Sequence, residues 1–173
     1  CSWDEAINIV GSKLKETEKN KIGFHAGDML SMETINSLKE FVKKLNIPNY
    51  EFRDKPFYLN SDNKMNYIFN SSIKGIDESD CIVLIGANPR HEATMLNARI
   101  RKAFVAKKIP IISFGDPGDL TYDYTNVGNS TEDIKKLLNK ENEASKIILN
   151  SKKPIVIIGE SALELESGKF ILQ

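Results

Sequence analysis

Cysteine is scarce in this chain, which has Cys1 and Cys81 among 173 residues. The two share no short ligand spacing with each other or with His25 or His91, whereas zinc and iron-sulfur sites draw on closely spaced Cys and His. The pattern argues against a metal site in this stretch. Cys81 opens an apolar run, where a free thiol is expected to behave as a small buried hydrophobe.

Net charge and long apolar runs are also missing. Lysine and arginine number 24 against 24 aspartates and glutamates, which gives no broad attraction to nucleic acid or to an anionic membrane. The apolar runs stay far below the ~20 residues needed to cross a bilayer, and the N-terminus lacks a signal-peptide pattern. These absences predict a soluble chain with no nucleic-acid partner and no direct membrane insertion.

Three common motifs do not occur: GxGxxG, GxxxxGK[ST] and GxSxG. Their absence removes the minimum features of a dinucleotide site, a P-loop and a serine hydrolase. No pair of carboxylates can be assigned to general acid-base catalysis, and no catalytic residue is predicted.

Apolar runs that end at glycine dominate the secondary-structure pattern. They are residues 81–85, 109–114 and 154–158, followed by Gly86, Gly115 and Gly159. Weaker strands are predicted at 21–25 and 50–53, and an elaborated loop at 54–73. Helices are predicted at 2–18, about 35–47, 91–107 and 131–150, and the first of them begins with a capping-box pattern at Ser2 and Glu5.

Alternating strands and helices need crossover connections, so the pattern predicts an α/β fold. We expect a mainly parallel, Rossmann-like sheet that includes the strands near 21–25, 81–85, 109–114 and 154–158, with helices on both faces, in a single domain over residues 1–173. The strand order stays open. The chain begins and ends abruptly, which indicates a fragment of a longer polypeptide.

Ligands of open parallel sheets bind at the carboxyl ends of the strands. The most informative loop is 86–90, which reads Gly-Ala-Asn-Pro-Arg. Gly86 permits a sharp turn, Asn88 can bond the turn or a phosphate, and Pro89 ends the strand. A helix N-terminus beside Arg90 would attract an anion. By its local chemistry alone, however, the loop is more simply a good strand-to-helix turn.

Other polar residues have ordinary interpretations beside functional ones. A basic cluster on and around the 91–107 helix is typical of a solvated face, with a subunit contact as the alternative. His25, which precedes a loop ending at Asp28, is expected to bond its turn. Asp116 and Asp119 are expected to form turns and cap a helix. The basic cluster consists of Arg90, Arg99, Arg101, Lys102, Lys107 and Lys108.

Several stretches together resemble the large iron-sulfur subunit of NADH:quinone oxidoreductase, respiratory complex I. The likeness is strong over residues 67–128 and looser but collinear elsewhere. It is carried by GIDESDCIVLIGANPR at 75–90, EA at 92–93, LNARIRK at 96–102, YIFN at 67–70, LTYDY at 120–124 and SWDEA at 2–6.

The resemblance implies a molybdopterin oxidoreductase-like domain, similar to that of formate dehydrogenases, in which GxNP lies near the pterin nucleotide. Gly86, Asn88, Pro89 and Arg90 would then be an inherited, vestigial cofactor-binding loop. Active relatives carry Asp-Pro-Arg after the next strand, whereas this chain has Gly118 as the third residue, which places nucleotide binding in doubt.

The resemblance also implies that this chain has a structural role and catalyses no reaction itself. Complex I members keep the fold without the molybdenum cofactor, and their iron-sulfur clusters lie N-terminal to this domain. We therefore expect no cofactor and no metal here, and a structural part of a subunit that passes electrons from NADH towards quinone. The expected partners are other subunits of the peripheral arm, on the cytoplasmic side of the bacterial inner membrane or the mitochondrial matrix side.

Two alternatives stay open at this point. One is a live molybdenum or tungsten oxidoreductase domain. The other is the nucleotide- or flavin-holding middle domain of a thiamine-diphosphate enzyme, whose strands also end at glycines. Iron-sulfur cysteine clusters encoded upstream would favour complex I, and a thiamine-type domain there would favour the last alternative.

Overall fold

The structure is a computed structural model that describes residues 1–27, 29–53, 58–140 and 142–172. The chain forms two compact units, Cys1–Pro56 and Phe57–Gln173. The single domain expected over residues 1–173 stays a prediction. No described helix is long and apolar enough to cross a bilayer.

The first unit contains two helices and a two-stranded parallel sheet. Its elements are α1 (Trp3–Glu16), β1 (Gly23–His25), α2 (Met32–Leu45) and β2 (Asn49–Glu51), with a 3-10 turn at Lys19–Lys21. The predicted capping box begins α1, because the Ser2 hydroxyl accepts from the Glu5 N–H at 3.2 Å and the Glu5 carboxylate accepts from the Ser2 N–H at 2.7 Å. A small core of Ile22, Val42 and Ile47 holds the unit together.

The second unit is built on a four-stranded parallel sheet. In chain order it contains a 3-10 turn at Lys64–Asn66, α3 (Ser72–Glu78), β3 (Cys81–Ile85), α4 (Pro89–Glu92), α5 (Thr94–Lys107), β4 (Ile111–Phe114), β5 (Thr125–Gly128), α6 (Thr131–Leu138), α7 (Glu143–Asn150), β6 (Pro154–Ile158), α8 (Glu160–Glu164) and α9 (Gly168–Ile171). The strand order is β5-β4-β3-β6. The predicted α/β class with parallel strands is confirmed.

Helices cover both faces of this sheet, as predicted. Side chains alternate along each strand, so Ile82 and Leu84 of β3 point to one face while Cys81 and Val83 point to the other. Buried residues of α3 and α5 pack on the first face, and α6 and α7 pack on the second. Cys81 is fully buried and packs as the small hydrophobe expected of it.

Three details differ from the prediction. The strand expected at 21–25 was placed with the other strands, but β1 pairs with β2 in a separate sheet. A short strand pattern does not encode its partner, because pairing is decided by distant parts of the chain. The expected 91–107 helix is broken at Ala93, whose backbone leaves the helical region at φ −149° and ψ 68°.

The third difference is β5, which was not predicted. Its sequence, Thr-Asn-Val-Gly, lacks apolar alternation because the strand lies at an exposed edge of the sheet. Of the elaborated loop expected at 54–73, residues 54–57 lie outside the described part. The rest contains the turn Lys64–Asn66 and the start of α3.

Candidate functional site

The carboxyl ends of three strands meet at one edge of the four-stranded sheet. The Gly86 N–H donates to the Phe114 carbonyl at 2.8 Å, and the Gly159 N–H donates to the Ile85 carbonyl at 2.9 Å. The loops after β3, β4 and β6 therefore lie side by side, at the edge where doubly wound sheets bind their ligands. The chain order changes direction here, since β4 lies on one side of β3 and β6 on the other.

The loops after β3 and β6 touch closely enough to require glycine. Gly86 has a left-handed backbone, φ +54°, and a Cβ there would lie 2.8 Å from the Ala162 Cβ. A Cβ at Gly159 would collide with the Gly86 carbonyl oxygen and lie 2.6 Å from the Ala87 Cα. The Ser161 hydroxyl also donates to the Gly86 carbonyl at 2.6 Å. The segment after β6 thus fastens the predicted loop in place.

Two small cavities open at this edge. The first, about 160 Å³, lies among the three loops, and its polar wall includes Asn88, Ser161, Glu92 and Asp116. Among the described residues, its charged lining side chains are the two carboxylates. The second, about 220 Å³, is largely apolar and is lined partly by Ile85, Phe114, Ile134 and Leu165. Each is below the roughly 300–1,000 Å³ of common ligand pockets.

The Asn88 side chain is used to hold the loop. Its amide nitrogen donates to the Pro117 carbonyl at 2.8 Å, and its oxygen accepts from the His91 N–H at 3.2 Å. The second bond caps α4, which begins with buried Pro89. Because α4 is a single turn, it is a much weaker anion site than the long helix expected here.

Arg90 is bonded to Asp119 in the loop after β4. Its guanidinium donates to the Asp119 carbonyl at 2.8 Å and to the carboxylate at 2.5 Å. The Thr121 N–H donates to the same carboxylate at 2.8 Å. The Thr121 amide first, and then Arg90, hold the pKa of Asp119 below its ordinary value. The loop's one arginine therefore already has an anionic partner.

The structure brings the four predicted site residues to one place. Gly86, Asn88, Pro89 and Arg90 lie together at the carboxyl end of β3. Asn88 and Arg90 are bonded to other groups of the protein, and the wall of the first cavity carries carboxylates. A phosphate in the first cavity would therefore face two carboxylates, while the nearby arginine is already bonded to Asp119.

The basic cluster on α5 is tied to its own chain. Arg99 and Lys102 contact the Asp77 carboxylate at 3.1 and 3.3 Å, and Lys107 donates to the Asp77 carbonyl. Lys108 lies over the Phe104 ring, 4.8 Å from its centroid. These contacts anchor the helix face to α3, the Arg99 and Lys102 side chains stay partly exposed as expected of a solvated face, and the subunit contact stays a prediction.

The remaining polar candidates take structural positions. The Asp116 and Asp119 carboxylates accept from the N–H two residues on, at 2.9 and 2.8 Å, which confirms the predicted turns. The expected helix capping is wrong, because strand β5 follows them. His25 is exposed at the end of β1, and Asp28 lies outside the described residues. Nowhere in the described part do three or more His, Cys, Asp or Glu side chains group to hold a metal ion.

Sequence reasoning missed two side chains of the site. Ser161 follows the strand predicted at 154–158, so the rule that ligands bind after strands could have found it. Glu92 faces the first cavity from α4, but no local pattern distinguishes it from an ordinary helix carboxylate.

Comparison with known proteins gives a consistent result. The molybdopterin oxidoreductase family pattern matches residues 1–173. The chain is similar to a subunit of the NADH-quinone oxidoreductase of Rickettsia bellii, 32% identical over 172 residues, which cover 99% of this chain and 25% of that protein. The corresponding protein of Rickettsia felis is 30% identical over 172 residues, covering 99% and 26%.

A mitochondrial relative is similar over the same span. The NADH-ubiquinone oxidoreductase 78 kDa subunit of Candida albicans is 33% identical over 176 residues, covering 99% of this chain and 24% of that protein. The predicted resemblance is confirmed. The chain spans about a quarter of the length of the curated relatives it matches.

Proposed function

This chain belongs to the molybdopterin oxidoreductase family, and we propose that it is a structural, cofactor-free part of an NADH:quinone oxidoreductase subunit. In this proposal, electrons from NADH pass through iron-sulfur clusters N-terminal to it, towards quinone. Its relatives carry the names of such subunits. The family match also favours this proposal over the thiamine-diphosphate alternative.

The Arg90–Asp119 contact is the observation that carries the cofactor-free proposal. A pterin-guanine dinucleotide brings a diphosphate, which protein sites hold with arginines, lysines and free amide donors. Here Arg90 is bonded to Asp119, Gly118 stands where active relatives have arginine, and Glu92 and Asp116 face the cavity. The residues present are a poor fit to that group.

The proposed partners are other subunits of the peripheral arm of the complex. The proposed location is the cytoplasmic side of the bacterial inner membrane, or the matrix side in mitochondria. The charge balance of the chain and the internally bonded α5 lysines and arginines favour local contacts over a broad electrostatic surface.

Metal content and activity of the purified chain test this function. We expect neither molybdenum nor iron above background, no bound flavin, and no NADH-dependent reduction of dyes or quinones. Stoichiometric molybdenum with dye reduction would favour the alternative of a live oxidoreductase domain. Iron with acid-labile sulfide would instead place a redox centre inside this chain and contradict the proposal.

A further inference from the structure

The outer edge of β6 is open in the described structure. The Gly159 N–H bonds to Ile85 of β3, and Val156 is paired with Val83. Alternate residues of a parallel strand bond to the same neighbour, so the N–H and C=O groups of Val156 and Ile158 point away from β3. Among the described residues, no hydrogen bond reaches these four groups. Such a row of backbone groups is a template for another strand.

The side chains of β6 are those of an interior strand. It reads Pro-Ile-Val-Ile-Ile, with no charge and no polar residue. Val156 is 53% exposed although Ile155 beside it is 5% exposed. Natural sheet edges are usually protected by charges, proline, bulges or covering elements, and here the one proline stands at the first position of the strand.

The opposite edge of the sheet shows the contrast. β5 reads Thr-Asn-Val-Gly, and its pairing with β4 carries an irregularity between Ser113 and Phe114. Its Asn126 side chain bonds to the Gly115 carbonyl at 3.0 Å and to the Gly128 N–H at 2.9 Å. β5 therefore has the polar, irregular character of a natural edge, which β6 lacks.

Strand order indicates what lies beyond β6. The order β5-β4-β3-β6 occupies the first four places of the doubly wound order 3-2-1-4-5-6. The fifth place is the outer edge of β6. A parallel strand there must be reached by a crossover of a dozen or more residues. The curated relatives have polypeptide to supply it, since this chain covers 25% of one such protein.

We propose that the outer edge of β6 receives one apolar, β-branched strand, parallel to β6, from a longer polypeptide of which this chain is part. The strand pairs with the backbone of Val156 and Ile158 and covers the Val156 side chain. This proposal does not depend on the proposed function, because an open apolar edge has the same chemistry whether or not electrons pass nearby.

Hydrogen exchange tests the pairing directly. The 173-residue chain is compared with the complete product of its gene, at single-amide resolution. In the complete product, the amides of Val156 and Ile158 are expected to exchange about tenfold or more slowly than in the chain alone. The amides of Ile155 and Ile157 are expected to be protected in both. Equal rates at Val156 and Ile158, or a gene with no further coding sequence, would overturn the proposal.

A second copy is the competing occupant, and concentration separates the two. Protection of Val156 and Ile158 that rises with the concentration of the 173-residue chain, together with dimer formation, would contradict a strand from the same polypeptide. Concentration-independent exchange by a monomeric chain is the result expected.

A pair of matched variants adds a second readout. Val156→Lys places a charge at the edge, and Leu149→Lys makes the same type of change on α7 at a side chain 60% exposed. In the complete product, Val156→Lys is expected to lower the thermal midpoint by several degrees more than Leu149→Lys. In the 173-residue chain the two shifts are expected to be similar. Similar shifts in the complete product would overturn the proposal.

Discussion

Arg90 and Asp119 join the loops after β3 and β4 across 29 positions of sequence, by one bond to the Asp119 carbonyl and one to its carboxylate. The two side chains are 41% and 76% exposed, so solvent screens the pair and it adds little to stability. The pair matters for ligand binding, because it bonds the arginine of the loop to an internal carboxylate and leaves it less available to an anionic ligand. The same carboxylate also forms the turn at Thr121.

Asp119→Asn is expected to reduce the acid sensitivity of the second unit. Because the folded pKa of Asp119 is lowered, its ionised form stabilises the fold above about pH 4. That contribution is lost as the pH falls through the lowered folded value. The difference in thermal unfolding midpoint between wild type and Asp119→Asn should therefore be largest near neutral pH and shrink below about pH 4. Thermal unfolding followed by circular dichroism at several pH values measures it.

Asp123→Asn is the control for this series, since Asp123 is an exposed aspartate in the same connection. A midpoint difference for Asp119→Asn that stays constant from neutral pH to about pH 2 would show that the contact contributes no pH-linked stability.

Leu84→Asp is expected to destabilise the chain severely. Leu84 is fully buried in β3, within the core that α3 and α5 cover. A carboxylate there has no compensating partner, so we expect a loss of at least about 4 kcal/mol or failure to fold. Denaturant unfolding measures the loss. Val105→Asp on α5, at a side chain 58% exposed, is the control, and a comparable small effect for both would mean that β3 is misplaced in the core.

Gly159→Ala tests the contact between the loops after β6 and β3. An added methyl group would meet the Gly86 carbonyl and the Ala87 Cα, which are backbone atoms that cannot rotate away. We expect a loss of about 2–3 kcal/mol. Gly75→Ala in α3 is the matched control, because its nearest neighbours would lie at 3.6 Å and helix propensity should raise stability by about 0.5–1 kcal/mol. Equal effects of the two substitutions in a chemical denaturation assay would contradict the close approach.

The elements of the site could be read from local patterns. The apolar run Cys81–Ile85 and the glycine after it predicted both β3 and the loop that holds Asn88 and Arg90. Ser2 and Glu5 predicted the start of α1 through the capping box. In each case the signal lies within a few residues, where composition and backbone preference act directly.

The features that were missed depend on distant parts of the chain. The Arg90–Asp119 contact spans two loops, and Asp119 alone predicts only a turn. The pairing of β1 with β2 in a sheet of their own is likewise decided by packing across the chain. β5 is missed because its exposed residues carry no apolar alternation.

Binding of pterin-guanine dinucleotide tests the central claim most directly. The ligand is titrated into the purified 173-residue chain by isothermal titration calorimetry, beside Asp119→Asn, which removes the carboxylate partner of Arg90 and leaves its bond to the backbone carbonyl. We expect no binding tighter than micromolar in either protein, because Glu92 and Asp116 still face the cavity. Weak binding of inorganic phosphate alone would not alter this account. Submicromolar binding of the dinucleotide by the wild-type chain would contradict it and make residues 86–90 a working cofactor site.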